Sequence, residues 1–181
     1  MVKMEKDLPV LSQESKEDAK KIKKASSIVN EVFKAKNLGS EILMINNINH
    51  VTIQCIHEMT PIDKMNIVRL GISKINFDKI KKYIGMDYDL LAKSLSVTRA
   101  TLINKKGADK FNTKVSEGII GLSEIYSFGY KVFEDIERFR KWMFEPNNAL
   151  GGIQPCELLD NQYGRQEVMN IVGRIEYGVY S

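Results

Sequence analysis

Asp87-Tyr88-Asp89-Leu90-Leu91-Ala92-Lys93-Ser94-Leu95-Ser96-Val97-Thr98-Arg99-Ala100-Thr101-Leu102-Ile103-Asn104-Lys105-Lys106-Gly107 sets the architecture of this chain. Asp87 is a good helix N-cap, because its carboxylate can accept a backbone N–H of the first turn. Leu91 and Leu95 lie four residues apart and share an inward face. Ala92 is small where a second helix must cross closely, and Val97 is the apolar plug of a tight turn. Thr98 caps a new helix, Leu102 anchors it and Gly107 ends it. This spacing predicts a helix-turn-helix whose second helix runs from Arg99 to Lys106.

That second helix allows two readings. In one, Thr98, Arg99, Thr101, Asn104, Lys105 and Lys106 face DNA, since these residue types reach phosphates and base edges. In the other, the hairpin packs and does nothing more. One residue departs from the pattern: the turn position that is usually glycine is Ser96. A left-handed serine costs roughly 1 kcal/mol relative to glycine.

Working backward, Phe77, Ile80 and Ile84 form a helical face closed by Gly85. Before it, Ile62, Met65, Ile67, Val68 and Leu70 form another segment, between Pro61 and Gly71. Ile42 to Ile56 is rich in β-branched residues, with Val51, Ile53 and Cys55 alternating against Thr52 and Gln54, which predicts a short strand. His50, Cys55 and His57 cluster there but lack the spacing of a tetrahedral metal site, so they read as ordinary strand residues. Lys16 to Lys36 is helix-forming and lysine-rich, with a short apolar stripe through Val29, Val32 and Phe33. It reads as a solvated helix or as a basic arm toward nucleic acid.

Working forward, Val115 to Val132 is a long apolar helix interrupted by Gly118, Gly121 and Gly129. Each helical glycine costs about 1 kcal/mol, so close helix contacts, including contacts across a dimer axis, are the expected compensation. Asp135 caps a helix carrying Phe139, Trp142 and Met143, and Pro146 stops it.

The whole chain has 181 residues, 43% hydrophobic and 28% charged, as in soluble globular proteins. No apolar run approaches the roughly 18–20 residues of a bilayer span, and no signal peptide is visible, so no membrane partner is expected. Two distant cysteines, Cys55 and Cys156, fit reduced thiols in a cytoplasm. The net charge of +4 is unevenly spread. Residues 61–130 carry twelve basic and seven acidic side chains, whereas residues 131–181 carry six basic and eight acidic. A basic middle and a mildly acidic end suggest two surfaces with different partners. No nucleophile elbow, His-rich metal motif or dinucleotide fingerprint occurs, so an enzyme is not expected.

Two C-terminal motifs complete the reading. The first is Phe139-x-x-Trp142-x-x-x-Pro146-Asn147-x-Ala149-Leu150-Gly151-Gly152-x-x-Pro155-x-Glu157-Leu158-Leu159-Asp160. After a spacer around Gly164 to Val168 comes Gly173-Arg174-Ile175-Glu176-Tyr177-Gly178-Val179-Tyr180-Ser181. Together, in this order, they resemble the toxin-binding region of Xre/ParS/MbcA-family antitoxins, the partners of RES-domain toxins. The preceding region, from about Pro61 to Val132, is similar to the Xre-like helical domain of the same family.

The resemblance implies a mainly α fold: an Xre-like helix-turn-helix and dimerisation domain over 58–133, then a small α-helical toxin-binding domain over 134–181. Residues 1–57 form a basic extension that it does not explain. It implies a cognate RES-domain toxin that degrades NAD, a homodimer, operator DNA as a further partner, and no cofactor. The toxin-facing residues carried over are Trp142, Pro146, Asn147, Leu150, Gly151 and Gly152, together with Arg174, Glu176, Tyr177, Gly178, Val179, Tyr180 and Ser181. The physical reading adds that a terminal carboxylate and two tyrosine hydroxyls suit a pocket built for an anionic dinucleotide. Against this stand plainer readings: Tyr177 and Trp142 as core residues, and Arg174 with Glu176 as a surface pair. The alternative for the whole chain is a free-standing helix-turn-helix regulator whose C-terminal block only mediates dimerisation.

Overall fold

A computed structural model describes residues 55–178, which lie within one compact unit, Met44–Ser181. The expected helix over 16–36, most of the expected strand and the last three residues lie outside the described residues. Seven α-helices occupy the described part: α1 (Pro61–Leu70), α2 (Lys74–Ile84), α3 (Tyr88–Ser94), α4 (Arg99–Ile103), α5 (Thr113–Phe133), α6 (Ile136–Met143) and α7 (Gln162–Glu176). Short 3₁₀ turns at Ile56–Glu58, Asn148–Leu150 and Pro155–Leu158 complete it, with no strand among the described residues. The fold is mainly α, as the periodicity predicts.

Local chemistry sets the helix ends. The side chains of Asp87, Thr98 and Asp135 accept backbone N–H groups at the starts of α3, α4 and α6. Gly85 ends α2 in the left-handed region. The second helix of the hairpin is shorter than expected: α4 stops at Ile103, and Asn104 rather than Gly107 is its C-cap. Lys105 and Lys106 therefore sit in the loop after it. The expected strand also needs correction at its end, since Cys55 lies in a turn and Ile56 opens a 3₁₀ helix.

Helix α5 is the axis on which the rest packs. It carries Ile119, Leu122, Ile125 and Tyr126 at 1% exposure or less, and it meets α7, α1, α6, α2 and the Ile56–Glu58 turn. Its glycines face close neighbours within the same chain. A Cβ on Gly118 would stand 2.8 Å from Leu95, and one on Gly121 3.0 Å from Arg165. One on Gly129 would overlap the Phe139 ring. Its buried serines are satisfied: Ser116 Oγ accepts the Ile72 N–H at 3.0 Å, and Ser123 Oγ donates to Ile119 O at 2.7 Å.

Phe139 is the centre of an aromatic cluster. It meets Tyr126 at 5.4 Å and Tyr130 at 5.5 Å edge-on, and Trp142 stacks on it at 5.8 Å. The end of α2 is tied to the same cluster. Tyr130 Oη donates to Tyr83 O (3.1 Å) or Ile84 O (3.2 Å), and Arg140 Nε donates to Tyr130 Oη at 3.1 Å. One hydrophobic core thus runs from Ile72 on the hairpin side to Val172 on α7.

Candidate protein-docking site

The C-terminal motif folds around a compact loop. Asn147 Oδ1 accepts the Ala149 N–H at 2.9 Å, and its backbone carbonyl accepts the Gly152 N–H at 2.9 Å. Its own N–H donates to Ile153 O at 3.2 Å, closing an antiparallel bridge. The reversal between these bonds needs φ of 68° at Gly151 and 85° at Gly152, which glycine adopts without strain. Leu150 plugs the loop from below at 9% exposure, while Pro146, Gly151 and Gly152 face outward.

The next turn is locked onto α7 by another glycine. A Cβ on Gly164 would overlap the Leu158 carbonyl oxygen, so the Pro155–Leu158 turn lies directly on the start of α7. Along α7, Val168, Ile171 and Val172 are buried, and Ile175 is half-buried.

These elements leave a groove of about 570 Å³ between the end of α5, α6, the loop and α7. Its lining joins both halves of the motif: Trp142 and Asn147 from the first, Arg174 and Ile175 from the second. Trp142 is half-buried, with one side held by Phe139 and Phe133, so it serves the core and the groove together. Met143 is wholly core. Tyr177, just past α7, is 81% exposed, so it is not part of the domain's own core. Arg174 and Glu176 do not pair with each other; Arg174 Nη2 lies 3.7 Å from Glu167. Val179, Tyr180 and Ser181 lie outside the described residues.

Arg138, Lys141 and Phe133 also line the groove, and sequence reasoning passed over them. The signal was available. Arg138, Lys141, Trp142 and Glu145 recur at helical spacing and so share one face of the segment.

Residues 129–178 match the family model described as the antitoxin Xre/MbcA/ParS C-terminal toxin-binding domain. The C-terminal segment of this chain thus carries an Xre/MbcA/ParS antitoxin domain. The chain is 24% identical over 139 residues to the Prs ADP-ribosylating antitoxin of Sphingobium sp. (strain YBL2), covering 71% of this chain and 87% of that one. It is 33% identical over 76 residues to the Antitoxin Xre of Photorhabdus laumondii, covering 41% of this chain and 51% of that one. The Antitoxin Xre of Yersinia enterocolitica is 25% identical over 116 residues, 63% of this chain and 78% of its own length. An Xre/MbcA/ParS antitoxin of this kind acts in a toxin–antitoxin system and has a toxin as partner. The matched segment begins at Gly129, before α6. The last turn of α5 thus belongs with the toxin-binding domain, as the packing of Tyr130 and Phe133 on Phe139 requires.

At the hairpin, the six residues picked out for DNA divide into distinct roles. Thr98 is the N-cap of α4, its Oγ1 accepting the Thr101 N–H at 3.2 Å and lying 2.9 Å from Thr101 Oγ1. Arg99 Nη1 lies 2.7 Å from Asp89. Asn104 is exposed, Lys105 Nζ lies over the Phe111 ring at 5.5 Å, and the Lys106 N–H donates to Asp109 at 3.0 Å. Ser96 does adopt a left-handed conformation, with φ of 51°. Its hydroxyl donates to Asp160 O at 3.1 Å, a contact to the toxin-binding domain that glycine could not make.

Near the start of the described residues, His57 Nδ1 lies 2.6 Å from Ser127 Oγ. Its Nε2 is buried and 3.4 Å from Glu58 Oε1, close enough for charge attraction but too poorly aligned for a hydrogen bond. Burial holds the imidazole pKa below its usual 6.5; Lys131 and Lys64 act in the same direction, and Glu58 and Glu124 oppose them. Cys55 is a free thiol.

Proposed function

We propose that this antitoxin neutralises a RES-domain, NAD-degrading toxin by laying its C-terminal domain over the toxin's active site. The observation that carries the reading is the groove in which Trp142 and Asn147 of one motif meet Arg174 of the other. Pro146, Gly151 and Gly152 flank it on the exposed loop, with Leu150 acting from beneath. Glu176 and Tyr177 are exposed beyond it, and the segment Gly178–Ser181 is the part that enters the toxin's pocket. The test is deletion of residues 178–181. Lost neutralisation with retained folding is expected, and unchanged neutralisation refutes the plug. The name of the Sphingobium relative favours a second toxin chemistry, transfer of ADP-ribose, which consumes the same dinucleotide. Measuring NAD loss and labelled ADP-ribose transfer by the neighbouring gene product separates the two.

The same reading includes repression of its own operon. Thr98, Arg99, Thr101, Asn104, Lys105 and Lys106 contact operator DNA from a homodimer held through the helical domain. The competing reading, a free-standing regulator, requires tight operator binding with no stable complex with the neighbouring gene product.

A further inference from the structure

The C-terminal segment is acidic as a whole, yet its groove is not. Residues 131–181 hold six basic and eight acidic side chains. The groove gathers Arg138, Lys141 and Arg174 around it, with Glu145 its only acidic lining residue among the described residues. Among the described residues Arg138 has no carboxylate partner, and its guanidinium stands 5.9 Å from the Phe133 ring centre. Lys141 is 3.5 Å from Glu145 and Arg174 3.7 Å from Glu167, both at the outer edge of ion-pair distance. Apart from Asn147, the rest of the lining is apolar, with Trp142, Ile171 and Ile175 among it. Apolar walls ringed by cations match an apolar side chain flanked by carboxylates. Such a pairing lowers the local dielectric and strengthens each charge contact.

We propose that the groove receives one apolar side chain of the toxin, flanked by toxin carboxylates that pair with Arg138 and Arg174. This rests on the toxin-binding reading of the C-terminal domain and specifies what the toxin must present to it. Continuity supports that occupant: Arg174 and Ile175 line the groove at the end of α7, immediately before the exposed Tyr177. The groove and the exposed Tyr177 therefore lie at the same end of α7.

Trp142 is the single tryptophan of the chain and lines the groove, so it reports directly on coverage. The full chain labelled with fluorotryptophan is titrated with the unlabelled product of the neighbouring reading frame. A shifted fluorine resonance is expected on complex formation. The double variant Arg138→Glu, Arg174→Glu is expected to weaken the complex by at least about tenfold and to flatten its salt dependence. The milder Arg138→Gln, Arg174→Gln pair, which keeps side-chain bulk, is expected to fall between that and the wild type. An unmoved resonance in a complex that does form would overturn coverage of the groove. A moved resonance with both pairs binding at wild-type affinity and salt slope would overturn the carboxylate pairing. Absence of any complex with the wild-type chain would instead overturn the toxin-binding reading itself.

Discussion

At the α3–α4 hairpin Arg99 lies 2.7 Å from Asp89 and Lys105 sits over Phe111, whereas on α6 Arg138 faces the groove without a carboxylate. Both segments carry cations; among the described residues Arg99 and Lys105 have partners within the chain, whereas Arg138 has no carboxylate. The Arg99–Asp89 pair is exposed and worth no more than about 1 kcal/mol, so a phosphate can replace it. At Arg99 and Lys105 DNA would have to displace internal partners, and a toxin carboxylate at Arg138 would not.

The two regions also share a core, and the largest effects come from breaking it. Phe139→Ala removes the ring at the centre of the aromatic cluster and is expected to cost about 3–5 kcal/mol. Because the core runs from the hairpin to α7, the variant should unfold in one transition of lowered midpoint, measured by denaturant titration. Two separate transitions would divide what is described here as one body. Gly129→Ala presses a Cβ onto the same ring and is expected to cost about 1–3 kcal/mol in the same titration.

Function separates the regions where stability does not. Arg99→Ala with Lys105→Ala is expected to lower operator affinity and the slope of its salt dependence while leaving toxin binding unchanged. Equal affinities in a mobility-shift titration would mark the hairpin as purely structural.

Ser96 joins the regions, and its effects are smaller. Ser96→Ala keeps the left-handed strain and loses the bond to Asp160, for an expected cost of about 1 kcal/mol. Ser96→Gly relieves the strain as it loses the bond and is expected to come out near neutral. A neutral alanine variant would show that the contact contributes nothing.

The smallest effect is at His57. Its folded pKa lies below 6.5, so above that pH both states are neutral and pH does not matter. As pH falls below 6.5 the unfolded chain takes up the proton first, and stability declines. His57→Gln should flatten this decline below pH 6.5 relative to wild type, measured as midpoint against pH. Parallel curves would exclude the histidine as the cause.

What the sequence revealed was mostly local. Asp87, Thr98 and Asp135 cap helices because a short polar side chain reaches backbone only a few residues away. The inward faces through Leu91, Leu102, Val168 and Val172 follow from periodicity, and all four are buried. Contacts over long separations were hidden. No local pattern tells that Ser96 bonds Asp160, that Gly129 accommodates Phe139, or that Arg138 and Arg174 meet across one groove. The end of α4 was misjudged for a related reason. Lys105 lies over Phe111 and the Lys106 N–H goes to Asp109, contacts that take the chain out of the helix before Gly107 is reached.

Hydrogen exchange on the full chain, alone and with the product of the neighbouring reading frame, tests the central claim most directly. New protection is expected over residues 136–178, strongest around Trp142 to Gly152 and at the end of α7, with the α3–α4 hairpin unchanged. Protection confined to residues 88–106, with the groove exchanging as in the free chain, would contradict the account.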